Sequence, residues 1–145
     1  MARAKNGVTA YRYGSPRCPG EGLRIGSARH LPRGVKRTDW QSRNYFDTWL
    51  PLVAPTADLV TVFKHEQIDF RTFASRYRTQ MKAPEARHVI DLLAAVARNQ
   101  PISVGCFCED ESRCHRSILR GLIAEKLEKS YPGGQAKGRP PITCT

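Results

Sequence analysis

The sequence predicts a single α/β domain over residues 1–130, with a mostly parallel sheet between helices, and a flexible basic tail over 131–145. Three observations carry this expectation. A chain of 145 residues that is 40% apolar can bury one core without metal or disulfide staples. The stretches 70–81 and 84–99 each repeat apolar residues at helical spacing. Ile102-Ser-Val-Gly-Cys-Phe-Cys108 is short, partly β-branched and bounded by Pro101 and an acidic run, as a strand buried in a sheet would be.

Val8-Thr-Ala-Tyr-Arg-Tyr13 reads as a first strand, closed by a loop rich in Gly and Pro around Cys18. Leu23-Arg-Ile-Gly-Ser-Ala28 alternates apolar and polar residues, as a second strand would. His30-Leu-Pro-Arg-Gly-Val35 cannot extend it, because Pro32 lacks a ladder donor and Gly34 invites a turn, so a basic loop is expected at the strand's end. Tyr45, Phe46, Trp49, Leu50 and Leu52 are core anchors of a short irregular or helical piece ended by Pro51. Thr56 can cap a short helix through Phe63, with Asp58 near the positive end of its dipole, and Asp69 can cap the next.

That next helix carries Phe70, Phe73, Ala74, Tyr77 and Met81 on one stripe. Pro84 suits the first turn of a third, whose Val89, Leu92, Leu93 and Val96 repeat the pattern until Asn99. A last helix is expected from Cys114 to Leu127, burying Ile118, Leu119, Leu122, Ile123 and Leu127, with Arg116, Arg120, Lys126 and Lys129 outward. The Pro- and Gly-rich composition after Tyr131 disfavours regular structure.

The net charge of +11 is uneven: residues 1–43 hold ten Lys or Arg against Glu21 and Asp39, a net of +8. Such a field attracts anions, including phosphates and nucleic acid, although no helix-turn-helix, zinc-finger or RNA-binding aromatic signature accompanies it. No apolar run approaches the length of a membrane span and the first residues lack an apolar leader, so no membrane partner and a cytoplasmic location are expected. Five cysteines, three of them crowded into residues 106–114, do not form the spread framework of a secreted protein, and reduced thiols are expected.

Strand, tight loop and helix follow one another through Cys106-Phe-Cys108-Glu-Asp-Glu-Ser-Arg-Cys114-His115-Arg116, the arrangement around which open α/β sheets bind ligands. Alternation along the strand puts Cys106 and Cys108 on one face and Phe107 on the other. Cys114 stands near a helix N-terminus, where the dipole, Arg113, His115 and Arg116 favour a thiolate. Glu109, Asp110 and Glu111 oppose that effect if they point inward, but they can instead cap the helix or hydrogen-bond a substrate.

Three chemistries fit these residues. A thiolate at Cys108 or Cys114 attacks an electrophile while His115 moves protons and Arg116 holds an anionic group. Alternatively Cys106, Cys108, Cys114 and His115 bind Zn²⁺, although adjacent Cys114 and His115 diverge on a helix and zinc knuckles normally carry a longer insert. In the third, the cysteines are small core residues and His115 and Arg116 serve the helix start.

Gly105-Cys-Phe-Cys-Glu-Asp-Glu-Ser-Arg-Cys-His-Arg-Ser117 resembles the signature of the domain of unknown function 488 family. The resemblance extends through Pro32-Arg-Gly-Val35, Trp49-Leu50, Ala54-Pro-Thr56 and Phe70 to Tyr77. Many relatives have an Asp-Arg pair and a Trp before Pro-Arg-Gly, where this chain has Ala28, Arg29 and Leu31. The resemblance implies a three-layer, Rossmann-like α/β fold with the Pro-Arg-Gly loop near the Cys-His-Arg helix, and it implies no established reaction.

Together these readings point to a cysteine-dependent enzyme acting on an anionic or nucleotide-like small molecule. Cys108, Cys114 and His115 are its candidate catalytic residues, and Arg29, Arg33, Glu109, Asp110 and Arg116 its candidate substrate-binding residues. No cofactor is required, Zn²⁺ being the one ion the residues suit. The rivals are a basic nucleic-acid-binding module and a metal-binding or thiol redox-sensing protein.

Overall fold

The computed structural model describes residues 7–130, so the tail expected over 131–145 lies outside the described residues. Four short strands, β1 (Val8–Arg12), β2 (Leu23–Gly26), β3 (Thr48–Trp49) and β4 (Ile102–Cys106), form an all-parallel sheet in the order β1-β4-β2-β3. The helices are α1 (Ala57–Lys64), α2 (Phe70–Gln80), α3 (Pro84–Asn99) and α4 (His115–Ser130). An α/β domain is what the sequence predicts.

Chirality explains the layers. The connections β1–β2 and β2–β3 step one way across the sheet and β3–β4 steps back, so right-handed crossovers place the first two on one face and the last on the other. The last connection carries α1, α2 and α3, and α4 packs beside α3. Val8, Ile25, Ile102 and Val104 bury themselves with Leu59, Phe73, Tyr77, Leu93, Leu119 and Ile123 in this helical layer. The opposite layer contains no α-helix among the described residues: irregular chain and the 3₁₀ turn Arg37–Asp39 cover that face with Tyr11, Tyr13, Trp40 and Phe46.

This aromatic cover lies directly on the backbone of the central strands. A Cβ at Gly105 would sit 2.3 Å from the Tyr11 ring, and one at Gly26 would meet Phe46 and the Tyr13 hydroxyl at 2.6 Å. Beneath the cover Arg24 is fully buried. Its Nε and Nη2 donate to the two carboxylate oxygens of Glu21, and its other bonds reach the carbonyls of Ser15, Pro16 and Asn44. The Tyr11 ring lies 4.1 Å from the guanidinium carbon.

Both expected caps form: Thr56 accepts from the Leu59 N–H at 3.4 Å and Asp69 from the Thr72 N–H at 2.8 Å. Several expectations change. Residues 45–54 contain β3, which pairs Thr48 with Ile25 and Trp49 with Gly26, before a 3₁₀ turn at Pro51–Val53. Two residues are too few to show a period. In α3 the buried face is Ala86, Ile90, Leu93, Ala94 and Ala97, a stripe rotated away from Leu92, which is 60% exposed. In α4, Leu122 is only half-buried, while Arg116, expected outward, is buried.

Candidate functional site

The carboxyl ends of β1, β2 and β4 and the start of α4 surround a cavity of about 650 Å³. Its apolar wall is Pro55, Val60, Phe63 and Phe73. Arg12, His30, Lys64 and Arg113 bring cationic or basic groups to it, and Glu109 the acid. A second wall is the cysteine segment.

Strand β4 ends at Cys106 with both its neighbours paired, and the chain then leaves the sheet. Cys106 is buried, Phe107 rests against the Tyr13 ring at 4.7 Å between centroids, and Cys108 is exposed. The Cys106 and Cys108 sulfurs are 3.9 Å apart. Asp110 then starts a 3₁₀ turn at Glu111–Arg113, accepting from the Ser112 N–H and hydroxyl at 3.0 and 2.6 Å. Cys114 follows in extended conformation, φ −132° and ψ 145°, immediately before α4.

That extended residue lets the Cys114 sulfur turn back toward its own neighbour, 3.8 Å from His115 Nδ1. His115 Nε2 lies 2.7 Å from the Ser27 carbonyl oxygen, which can only accept, so Nε2 carries the proton and Nδ1 presents its lone pair to the sulfur. Tyr77 closes over the imidazole edge at 5.3 Å. The ligand atoms of Cys106, Cys114 and His115 all lie within 4.8 Å of one another.

Arg116 completes the group. Its Nη1 donates to the Cys108 carbonyl at 2.6 Å and approaches the Cys114 sulfur at 3.7 Å. It is 3% exposed, its Nε has no hydrogen-bond partner, and no carboxylate stands within ion-pair distance of it among the described residues. A buried cation in that condition is costly unless an anion answers it.

The thiols divide the charge accordingly. Hydrogen bonds from Cys106 and then Cys114 push the Cys108 thiol down to about 2, with Arg116 acting in the same direction against burial. Cys106 is pushed up to about 11 chiefly by its hydrogen bond to Cys108. Cys114, bonded first to Cys106, then to Cys108, and buried, is raised far above the ordinary thiol range. Burial lowers His115 to about 4, partly offset by the Ser27 carbonyl. These shifts favour the exposed Cys108 sulfur as the place for negative charge and the neutral form of the His115 imidazole.

Of the residues expected at the site, Cys106, Cys108, Cys114, His115 and Arg116 come together and Glu109 lines the cavity, its carboxylate 3.3 Å from Arg12. Arg29 reaches the cavity wall, but its guanidinium is bonded to the carbonyls of Pro51, Ala54 and Pro55. Arg33 is exposed and absent from the cavity lining, and Asp110 is spent on the 3₁₀ turn. Cys106, Cys108 and Cys114 are free thiols, whereas Cys18 is disulfide-bonded, which corrects the expectation of reduced thiols there. Sequence reasoning missed Arg12, Ser27 and Lys64. Arg12 was findable as the last residue of a parallel strand, whereas Ser27 acts through a backbone carbonyl that no residue type announces.

A family model described as the active DUF488-N3 subclade matches residues 8–127. The chain belongs to the DUF488 family. This DUF488 chain is also similar to the "Uncharacterized protein YeaO" of Escherichia coli (strain K12), 28% identical over 112 residues, which cover 77% of this chain and 92% of the relative. No solved structure matches it.

Proposed function

We propose that this DUF488 protein is a cysteine-dependent enzyme that uses Cys108 as its nucleophile on an anionic, nucleotide-like substrate. One observation carries the reading: the exposed Cys108 sulfur borders the cavity at the end of a central strand, backed by two buried thiols and by a buried guanidinium without a carboxylate. A thiolate, and not a thiol, is the attacking species. The apolar wall of Phe63 and Phe73 suits a flat ring, and Arg12, Lys64 and Arg113 suit an anionic group attached to it.

In the reaction the Cys108 sulfur lone pair forms a bond to the electrophilic centre, and the leaving group departs with its electron pair toward the cationic rim. Water then cleaves the thioester-like adduct, its hydroxyl going to the product and its proton to solvent, and the thiolate returns. Cys106, Cys114, His115 and Arg116 act as positioning residues that hold charge on Cys108.

The test compares two alkylating probes on the reduced, chelator-treated chain with mass mapping. Iodoacetate should label Cys108 faster than uncharged iodoacetamide does at low salt, and the preference should disappear in a Lys64→Ala, Arg113→Ala variant, because the rim attracts the anion. Labelling of Cys108 no faster than that of a small peptide thiol, with either probe, would sink the reading.

A further inference from the structure

The same cluster carries a second property, which does not rest on the nucleophile reading. We infer that Cys106, Cys108, Cys114 and Nδ1 of His115 form a tetrahedral Zn²⁺ site. A tetrahedron with metal–sulfur bonds of about 2.3 Å and metal–nitrogen bonds of about 2.0 Å has S···S edges of about 3.8 Å and S···N edges of about 3.5 Å. The Cys106–Cys108 sulfur separation is 3.9 Å and the Cys114–His115 Nδ1 separation is 3.8 Å. Three of the four donor atoms already lie within 4.8 Å of one another. The exposed Cys108, 3.9 Å from the Cys106 sulfur, is the ligand whose side chain turns inward to complete the set.

Spacing alone argued otherwise, because adjacent helical residues diverge. Cys114 is not helical, however: its extended backbone swings the sulfur back over the first imidazole of α4. The orientation of His115 is that of a ligand. Its Nε2–H is fixed on the Ser27 carbonyl, the outer bond by which metal-bound imidazoles are commonly oriented, and the free lone pair on Nδ1 faces the Cys114 sulfur.

Charge closes the account. Three thiolates around a divalent ion leave one negative charge over, and Arg116, buried and without a carboxylate, supplies the balancing positive charge beside Cys114 and above the Cys108 carbonyl. Binding sends the protons of Cys106 and Cys114 to solvent, so affinity falls as the pH falls. Cys108 is the exposed ligand, and the form of sulfur that holds a metal is also the form that attacks an electrophile.

The experiment is a Co²⁺ titration of the full reduced chain after chelator treatment. The expected result is saturation at one equivalent, with a near-ultraviolet thiolate-to-cobalt band and the visible absorption of tetrahedral cobalt, both abolished by added Zn²⁺. Cys108→Ser should keep the fold, since Cys108 is exposed, and should lower the charge-transfer intensity by about a third as three sulfurs become two. Cys114→Ser should weaken cobalt binding at least about tenfold, with far-ultraviolet circular dichroism checking its fold. Absence of the thiolate band in the parent chain overturns the site. So does unchanged intensity in Cys108→Ser, whatever Cys114→Ser does. Alkylation of Cys108 in the metal-free chain reads the nucleophile proposal separately, so either can fail without the other.

Discussion

Arg24, on the interior strand β2, and Arg116, at the start of α4, are both buried guanidinium groups, but their surroundings answer them differently. Arg24, on the aromatic face, has every donor engaged, a bidentate carboxylate from Glu21 and an aromatic ring beneath it. Arg116, at the start of α4, has a carbonyl, a sulfur and an unpartnered Nε. The first is a closed structural unit that ties the 15–24 and 44–47 segments together. The second leaves its charge open to whatever anion the sulfurs or a ligand supply, which is what a site needs and a core does not.

The contrast predicts unequal losses on mutation. Glu21→Ala strands the Arg24 charge in the interior, and the cost should be about 3 to 5 kcal/mol in denaturant unfolding. A loss below about 1 kcal/mol would mean that Arg24 relaxes to solvent and the two arginines do not differ as described. Arg116→Met removes a cation that has no carboxylate and should cost about 1 to 2 kcal/mol in metal-free protein, mainly the bond to the Cys108 carbonyl. It should also raise the pH below which alkylation of Cys108 falls off, because one of the groups favouring the thiolate is gone. A stability loss equal to that of Glu21→Ala, with that pH profile unchanged, would make Arg116 another structural arginine.

The smallest expected effect concerns pH. Asp47 accepts from the Arg24 backbone N–H at 2.8 Å, and from Arg17 and Gln41 at 2.7 Å each. Burial raises its pKa, but these bonds outweigh it and the net shift is downward. The folded chain therefore binds fewer protons at Asp47 than the unfolded chain does, and stability rises with pH through that window. The contribution is complete above the ordinary carboxylate value of about 3.9 and is lost as pH falls through the lowered folded value. Asp47→Asn should cost about 1 kcal/mol at neutral pH, and the gap between the two chains should narrow in acid. A gap constant with pH would remove Asp47 from the Arg24 unit.

The same contrast separates what could be read from the sequence from what could not. Thr56 and Asp69 were legible as caps because each acts within three residues. The Phe73, Ala74, Tyr77 and Met81 stripe was legible because the helical period alone places it. Cys106, Cys108, Cys114, His115 and Arg116 were legible as a group because a strand, a short loop and a helix bring them together. Their division of labour was not, since it depends on the extended backbone at Cys114 and on a carbonyl at Ser27. The partners of Arg29 were hidden for a similar reason: the carbonyls of Pro51, Ala54 and Pro55, distant in sequence, take its Nε and Nη2 donors.

The central claim is that the charge of Arg116 is answered by a thiolate at Cys108. It is tested most directly by the alkylation rate of Cys108 against pH in the reduced, metal-free chain, followed by mass mapping. The account predicts a rate nearly independent of pH between about 5 and 8, because the sulfur is already ionised throughout that range. A rate that climbs through an ordinary thiol titration near about pH 8.5 would contradict it.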